Sequence, residues 1–157
     1  MTQERYAYIL TNDEKWWNRR CNQNKLGKLV HAFVRRGRVG PKDTKLLLFY
    51  VKHPIKEIRG LGEFIERITG EADELWNMYG HETVFESRDE YEGFMEGRTN
   101  VTFIRFKNLQ ELSNPIPFDN FSSVIDVTRM PQGGKYISRE AINQLVSERV
   151  GSDHAKV

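Results

Sequence analysis

Hydrophobic positions change period several times along the chain, and each change predicts a new element. Arg5–Leu10 (RYAYIL) is short, aromatic and β-prone, which predicts a first strand. Thr11-Asn12-Asp13-Glu14 has the spacing of a capping box, with Thr11 capping and Glu14 reaching back. It predicts a short helix over Glu14–Arg20 that carries Trp16 and Trp17. Leu26, Leu29, Val30, Phe33 and Val34 then follow an i, i+3, i+4, i+7, i+8 pattern, which predicts a helix over Asn24–Arg36 with one apolar face. Asn24 caps that helix, and Gly37 sits where a left-handed terminating residue belongs. Lys45–Lys52 contains LLLFYV, apolar on both faces, and predicts a central strand ended by His53-Pro54. The next strand, Lys56–Ile68, carries Gly60 and Gly62 on one face, where they permit strong curvature or close approach of another group.

The second half opens with two acidic helices. Glu71–Tyr79 places Ala72, Leu75, Trp76 and Tyr79 on one side, and Ser87-Arg88-Asp89-Glu90 is a second capping box ahead of Tyr91, Phe94 and Met95. Asn100–Lys107 reads as a strand, Asn114–Pro117 as a rigid connection, Ser123–Val127 as a last strand and Pro131–Gly134 as a loop. Ser138 caps a terminal helix with Ala141, Ile142, Leu145 and Val146 inward, and residues 151–157 read as a flexible tail. No segment is long and polar enough to divide two cores, so residues 1–150 read as one α+β domain.

Composition narrows the class. Apolar residues are 38% of the chain and aromatics 11%, enough for a sizeable core and against disorder or a coiled coil. No apolar run approaches the ~20 residues of a membrane-spanning helix, and the N-terminus lacks a secretory signal, so a soluble, cytoplasmic protein without a membrane partner is expected. A single cysteine, Cys21, excludes an internal disulfide framework; four scattered histidines form no HxH or HxxxH pair, and the candidate pair His81-Glu82 is explained by the turn after Gly80, so neither a metal nor another cofactor is expected.

The net charge of +2 conceals a polarity. Residues 1–60 hold fourteen Lys/Arg against five Asp/Glu, and the remainder holds ten against seventeen. Under the helical reading, Lys25, Lys28, Arg35 and Arg36 form a basic stripe beside the apolar face. Such a stripe suits nucleic acid or another polyanion; the alternative is neutralisation by the acidic half. Arg38 and Lys42, in the Gly37–Lys42 turn, offer further phosphate contacts. Consecutive helix positions lie ~100° apart, so one of Trp16 and Trp17 belongs to the core while the other lies beside Arg19 and Arg20, an arrangement fit for base stacking with phosphate neutralisation. At the end of the central strand, Tyr50, Lys52 and His53 are further binding candidates, and Lys52 with Glu57 is the candidate acid–base pair.

These stretches together resemble the PUA-like superfamily, in its EVE and ASCH-type branches. The resemblance rests on the first strand followed by Trp16-Trp17, on Gly40-Pro41-Lys42-Asp43 leading to Leu47-Leu48-Phe49-Tyr50-Val51, and on Gly60-Leu61-Gly62-Glu63-Phe64. Glu74-Leu75-Trp76, Tyr91, Asn108–Leu112 and Pro115-Ile116-Pro117-Phe118 are similar to the later half of an uncharacterised PUA-like group, so the likeness covers about residues 5–146. It implies a bent mixed β-barrel with peripheral helices and a pocket for a nucleic-acid base, its mouth near Trp16, Trp17 and Tyr50–His53. ASCH-type relatives include hydrolases acting on RNA or on an acylated nucleoside, but their signature GxKxxExR has no recognisable counterpart here. Three functions follow. A module binding RNA or DNA, reading RNA or a modified base, is preferred. A hydrolase acting on a modified nucleoside or RNA is the alternative. The third is an interaction domain whose oppositely charged halves meet complementary surfaces on copies of itself or on a partner.

Overall fold

The structure, a computed structural model, describes residues 3–37 and 40–145. Six strands form one mixed sheet: β1 (Ala7–Asn12), β2 (Val30–Arg36), β3 (Leu46–Val51), β4 (Glu57–Glu71), β5 (Asn100–Pro117) and β6 (Lys135–Ile137). Their spatial order is β2-β5-β4-β3-β1-β6, with β1 parallel to β3 and every other pairing antiparallel. The helices are α1 (Glu14–Lys25), α2 (Ala72–Tyr79), α3 (Arg88–Met95), the single turn α4 (Phe118–Phe121) and α5, residues 139–145. Residues 151–157 lie outside the described residues.

Strand alternation distributes the core. Tyr8, Leu10, Leu47, Phe49, Val51, Ile104 and Phe106 fill the inner face, and α1 covers it with Trp17 and Cys21. On the outer face, α4 and α5 bury Phe121, Ile142 and Leu145 against Ile9, Leu48 and Tyr50. Ser138 caps α5 as expected, its Oγ accepting from the Ala141 N–H. At the other end of the outer face, α2 and α3 bury Leu75, Tyr91 and Met95 against Ala32, Val34 and Phe103. Ser87 Oγ accepts from the Glu90 N–H, the expected cap of α3.

Bulges between Phe49 and Tyr50 and at three points along β4–β5 curl the sheet. Two of the three glycines of β4 serve close approach: a Cβ on Gly60 would lie 2.4 Å from the Trp17 ring, and one on Gly62 would lie 2.9 Å from Phe106. Curling stops short of a closed barrel. Strands β2 and β6 are the two edges and do not pair. One side chain reaches across the gap instead: Arg35 on β2 donates to the Gln132 and Gly133 carbonyls in the turn that leads into β6, where Tyr8 OH of the neighbouring β1 also donates to the Gly133 carbonyl.

The expected helix over Asn24–Arg36 is wrong. Helix α1 runs on to Lys25, Gly27 breaks it at φ 107°, and the chain returns as β2. Leu26 and Leu29, which completed the helical pattern, are each 81% exposed in the turn. What remains, Val30–Val34, is rich in β-branched and aromatic residues and alternates across the sheet. Three smaller expectations also change. Asp13, not Thr11, is the N-cap of α1, without a side-chain bond. Ser123–Val127 is a run of turns closed by Ile125 N–H to Phe121 O and Val127 N–H to Ser122 O. Asn114–Pro117 is the end of β5, and the last strand is Lys135–Ile137.

Candidate nucleic-acid interface

A cleft of about 520 Å³ opens where α1, the end of β1 and the free edge of β2 meet. Thr11, Asn12 and Asp13 bound it at the end of β1, Trp16 and Arg20 at α1, Phe33 to Arg36 at β2 and Lys52 just past β3; Val84, Phe85, Phe94, Arg98 and Gln132 complete the wall. Five cations (Arg20, Arg35, Arg36, Lys52, Arg98) therefore face one carboxylate, Asp13, among four aromatic rings.

The helical period of α1 builds this arrangement. Trp17, Arg20, Cys21 and Asn24 lie at i, i+3, i+4 and i+7 and face the sheet. Trp17 is 2% exposed and stacks on Phe49 at 5.4 Å. Trp16, one position earlier, points along the cleft wall, only half-covered, and meets Phe85 edge-on at 5.1 Å. Lys15 and Arg19 sit over its ring at 4.5 and 5.1 Å. Burial pushes the Cys21 thiol up to about 12, with Glu111 adding to the effect, so it is not a nucleophile at neutral pH.

Arg20 is the unusual member. It is 3% exposed, and both terminal nitrogens donate to one backbone carbonyl, Ala32 O, at 3.3 and 3.4 Å. Its Nε has no partner, and no carboxylate pairs with it among the described residues. The guanidinium lies 5.8 Å from the Phe33 ring and 5.3 Å from Phe106. Burial lowers it to about 9, so it remains a cation at pH 7. Nearby, His31 stacks on Phe106 and meets Asn24 Oδ1 at 3.1 Å; burial first, then Arg20 and Lys28, push it down to about 3.

The structure brings Trp16, Arg20, Arg35, Arg36 and Lys52 together and disperses the other candidates. The basic stripe does not exist, because the helix ends at Lys25 while Arg35 and Arg36 lie on β2. Arg36 pairs with Glu96 at 3.1 Å, Lys25 with Glu111 at 3.6 Å, and Arg19 with Glu86 and Glu90 at 3.1 and 2.6 Å. Each is a cation of the basic half met by a carboxylate of the acidic half. Lys28 Nζ donates to Thr83 O and Gln23 Oε1, and burial lowers it to about 8. The Lys42 N–H reaches Tyr136 OH, away from the cleft. Tyr50 lies on the opposite face of the sheet against Phe121, and His53 is exposed outside the cleft. Lys52 and Glu57 are not an acid–base pair: Lys52 meets Asp13 at 2.7 Å, both solvent-exposed, and Glu57 accepts from Arg59 Nε at 2.9 Å. Arg38 lies outside the described residues. Sequence reasoning missed Arg98, Phe85 and Phe94, which arrive from the acidic half. Phe33 carries a signal, as an aromatic in a β-prone run, but the helical spacing of Leu26, Leu29, Val30, Phe33 and Val34 outweighs it. No group of three or more potential metal ligands occurs among the described residues.

Solved structures share this architecture. The ASCH protein of Zymomonas mobilis superposes with a TM-score of 0.74 at 22% identity, over 91% of this chain and 95% of that one. Its serine-to-alanine variant gives 0.75 at 22% identity, over 92% and 96%. The chain shares the fold of these ASCH structures. The N-terminal domain of McrB from Staphylothermus marinus is a more distant example, at TM-score 0.55 and 11% identity over 94% of both chains. No protein-family model and no curated protein sequence matches the chain. No helix of this ASCH-type fold, among the described residues, is long and apolar enough to cross a membrane.

Proposed function

We propose that this ASCH-type fold is a nucleic-acid-binding module that holds a single strand in the cleft and reads a base there, in RNA or in modified form. The observation that carries the reading is Trp16, a half-covered indole in a cleft of five cations and one carboxylate. Phosphate contacts from Arg36, Arg98 and Lys52 supply affinity without sequence information, and selectivity comes from stacking and polar contacts to the base edge. Acid–base hydrolysis by a lysine–carboxylate pair needs both groups desolvated in the cleft. The exposed Lys52–Asp13 pair is not that arrangement, so binding is the better-supported reading.

The test is a binding screen of modified and unmodified single-stranded RNA and DNA at two salt concentrations. Base–aromatic stacking is worth ~1–3 kcal/mol per base, so Trp16→Ala weakens binding roughly 5- to 150-fold. Affinity for every oligonucleotide falls with rising salt. Binding that Trp16→Ala leaves intact removes the cleft from the site.

A further inference from the structure

Stacking on Trp16 leaves the floor of the cleft without a use. Arg20 occupies that floor as a cation 3% exposed, with an unpartnered Nε and no carboxylate within pairing distance among the described residues. A buried charge without a counter-ion is costly, and an uncharged side chain of similar size would fill the space between Phe33 and Phe106. The fold alone asks little of the charge, since a neutral donor suffices for Ala32 O. Beside it, Arg35 donates to the Gln132 and Gly133 carbonyls and, among the described residues, is within ion-pairing distance of no carboxylate. Two guanidiniums without counter-ions at the inner end of an aromatic-lined cleft call for an anionic group that arrives with the ligand.

We infer that the inner end of the cleft receives the phosphomonoester of a nucleotide, with Arg20 donating to its oxygens from below and Arg35 from the side. An internal phosphodiester is continued by chain on both sides and carries one charge, so it cannot reach a floor this deeply covered. A terminal phosphate can enter end-on, and its two charges suit two guanidiniums. The nucleoside behind it then lies among Trp16, Phe33, Phe85 and Phe94. The inference rests on the nucleic-acid reading above and narrows it, because it makes the cleft a reader of strand ends or of free nucleoside monophosphates.

The experiment measures binding of one single-stranded octamer in three forms: 5′-phosphate, 3′-phosphate, and hydroxyl at both ends. Wild-type protein and Arg20→Gln, which keeps a donor for Ala32 O and removes the charge, are compared. A charge-assisted hydrogen bond is worth ~1.5–3 kcal/mol, so wild type prefers one phosphorylated form by about 10- to 150-fold, and Arg20→Gln abolishes the preference while melting at an equal or higher temperature. Competition by a nucleoside monophosphate at matched affinity assigns the free nucleotide as ligand; failure to compete at millimolar concentration assigns the strand end. Equal wild-type affinity for all three octamers overturns the inference and leaves the nucleic-acid reading standing, with no variant needed. A monophosphate that binds through Arg20 when no octamer does sustains the anion site and overturns the nucleic-acid reading. Failure of octamers and monophosphate alike overturns both.

Discussion

Gly60→Ala tests how α1 is seated. The added Cβ would lie 2.4 Å from Trp17 Cη2, 2.9 Å from Cζ2 and 2.9 Å from the Gln110 carbonyl oxygen. The indole cannot retreat, because it is buried and its other side is stacked on Phe49. The backbone cannot retreat either, since β4 is paired on both sides by β3 and β5. Adding a methyl to a packed core typically costs ~1–3 kcal/mol, and a clash this short with no yielding neighbour belongs at the upper end. For a chain of this size ~3 kcal/mol lowers Tm by roughly 6–12 °C. Trp17→Phe deletes the two clashing ring atoms, at its own cavity cost of about 1–3 kcal/mol. Urea unfolding of both single variants and the double variant closes a cycle. The double variant is expected to lose at least ~1 kcal/mol less than the two singles added together. Rescue is partial, because the Gln110 carbonyl stays. Because α1 also carries Trp16 and Arg20 into the cleft, Gly60→Ala is expected to weaken the nucleic-acid binding proposed for it as well. A Gly60→Ala protein within 0.5 kcal/mol of wild type, or a strictly additive cycle, refutes this account of the glycine.

Two further outcomes follow from buried charge. Arg105 lies between Glu82 (2.7 Å) and Glu66 (2.5 Å), over the Tyr79 ring, and Glu82 is buried. Arg105→Ala strands that carboxylate and costs ~3–5 kcal/mol in urea unfolding, whereas adding Glu82→Gln returns part of the loss; an unchanged midpoint for the single variant contradicts the arrangement. His31 is held neutral, its value pushed from 6.5 to about 3 by burial and by Arg20 and Lys28. The unfolded chain therefore takes up a proton that the folded chain refuses, and the contribution of His31 is full above pH 6.5 and lost as pH falls towards 3. Between pH 6.5 and 5, above the carboxylate range, His31→Gln flattens the fall in unfolding free energy; an unaltered slope there rules out His31 as its source.

Much of the sheet was legible because its signals are local. The apolar run Leu46–Val51, the glycine pair of β4 and the cap at Ser87 each act within a few residues of where they are read. Strand β2 was misread because Leu26 and Leu29, two exposed turn residues, happened to extend Val30, Phe33 and Val34 into a helical period; Gly27 between them was the contrary signal. The adjacency of Trp16 and Trp17 announced that they would face different surroundings. The site's electrostatics were not legible. Arg19 finds Glu90 seventy-one residues away, and Arg20, its neighbour, finds no carboxylate at all among the described residues. Nothing in the string Arg19-Arg20 distinguishes a cation that is neutralised from one that is not, because the distinction is made by α3.

The unclosed seam between β2 and β6 determines how the mouth of the cleft responds to load. In a closed barrel, widening would mean unzipping a ladder of backbone bonds. Here the edges are joined by removable rungs: the two bonds from the Arg35 guanidinium to the Gln132 and Gly133 carbonyls ahead of β6. Exchanging those rungs for bonds to an incoming ligand leaves every pairing of the sheet intact. Compliance is thereby confined to one line of the molecule, the line that borders the cleft proposed to take a strand.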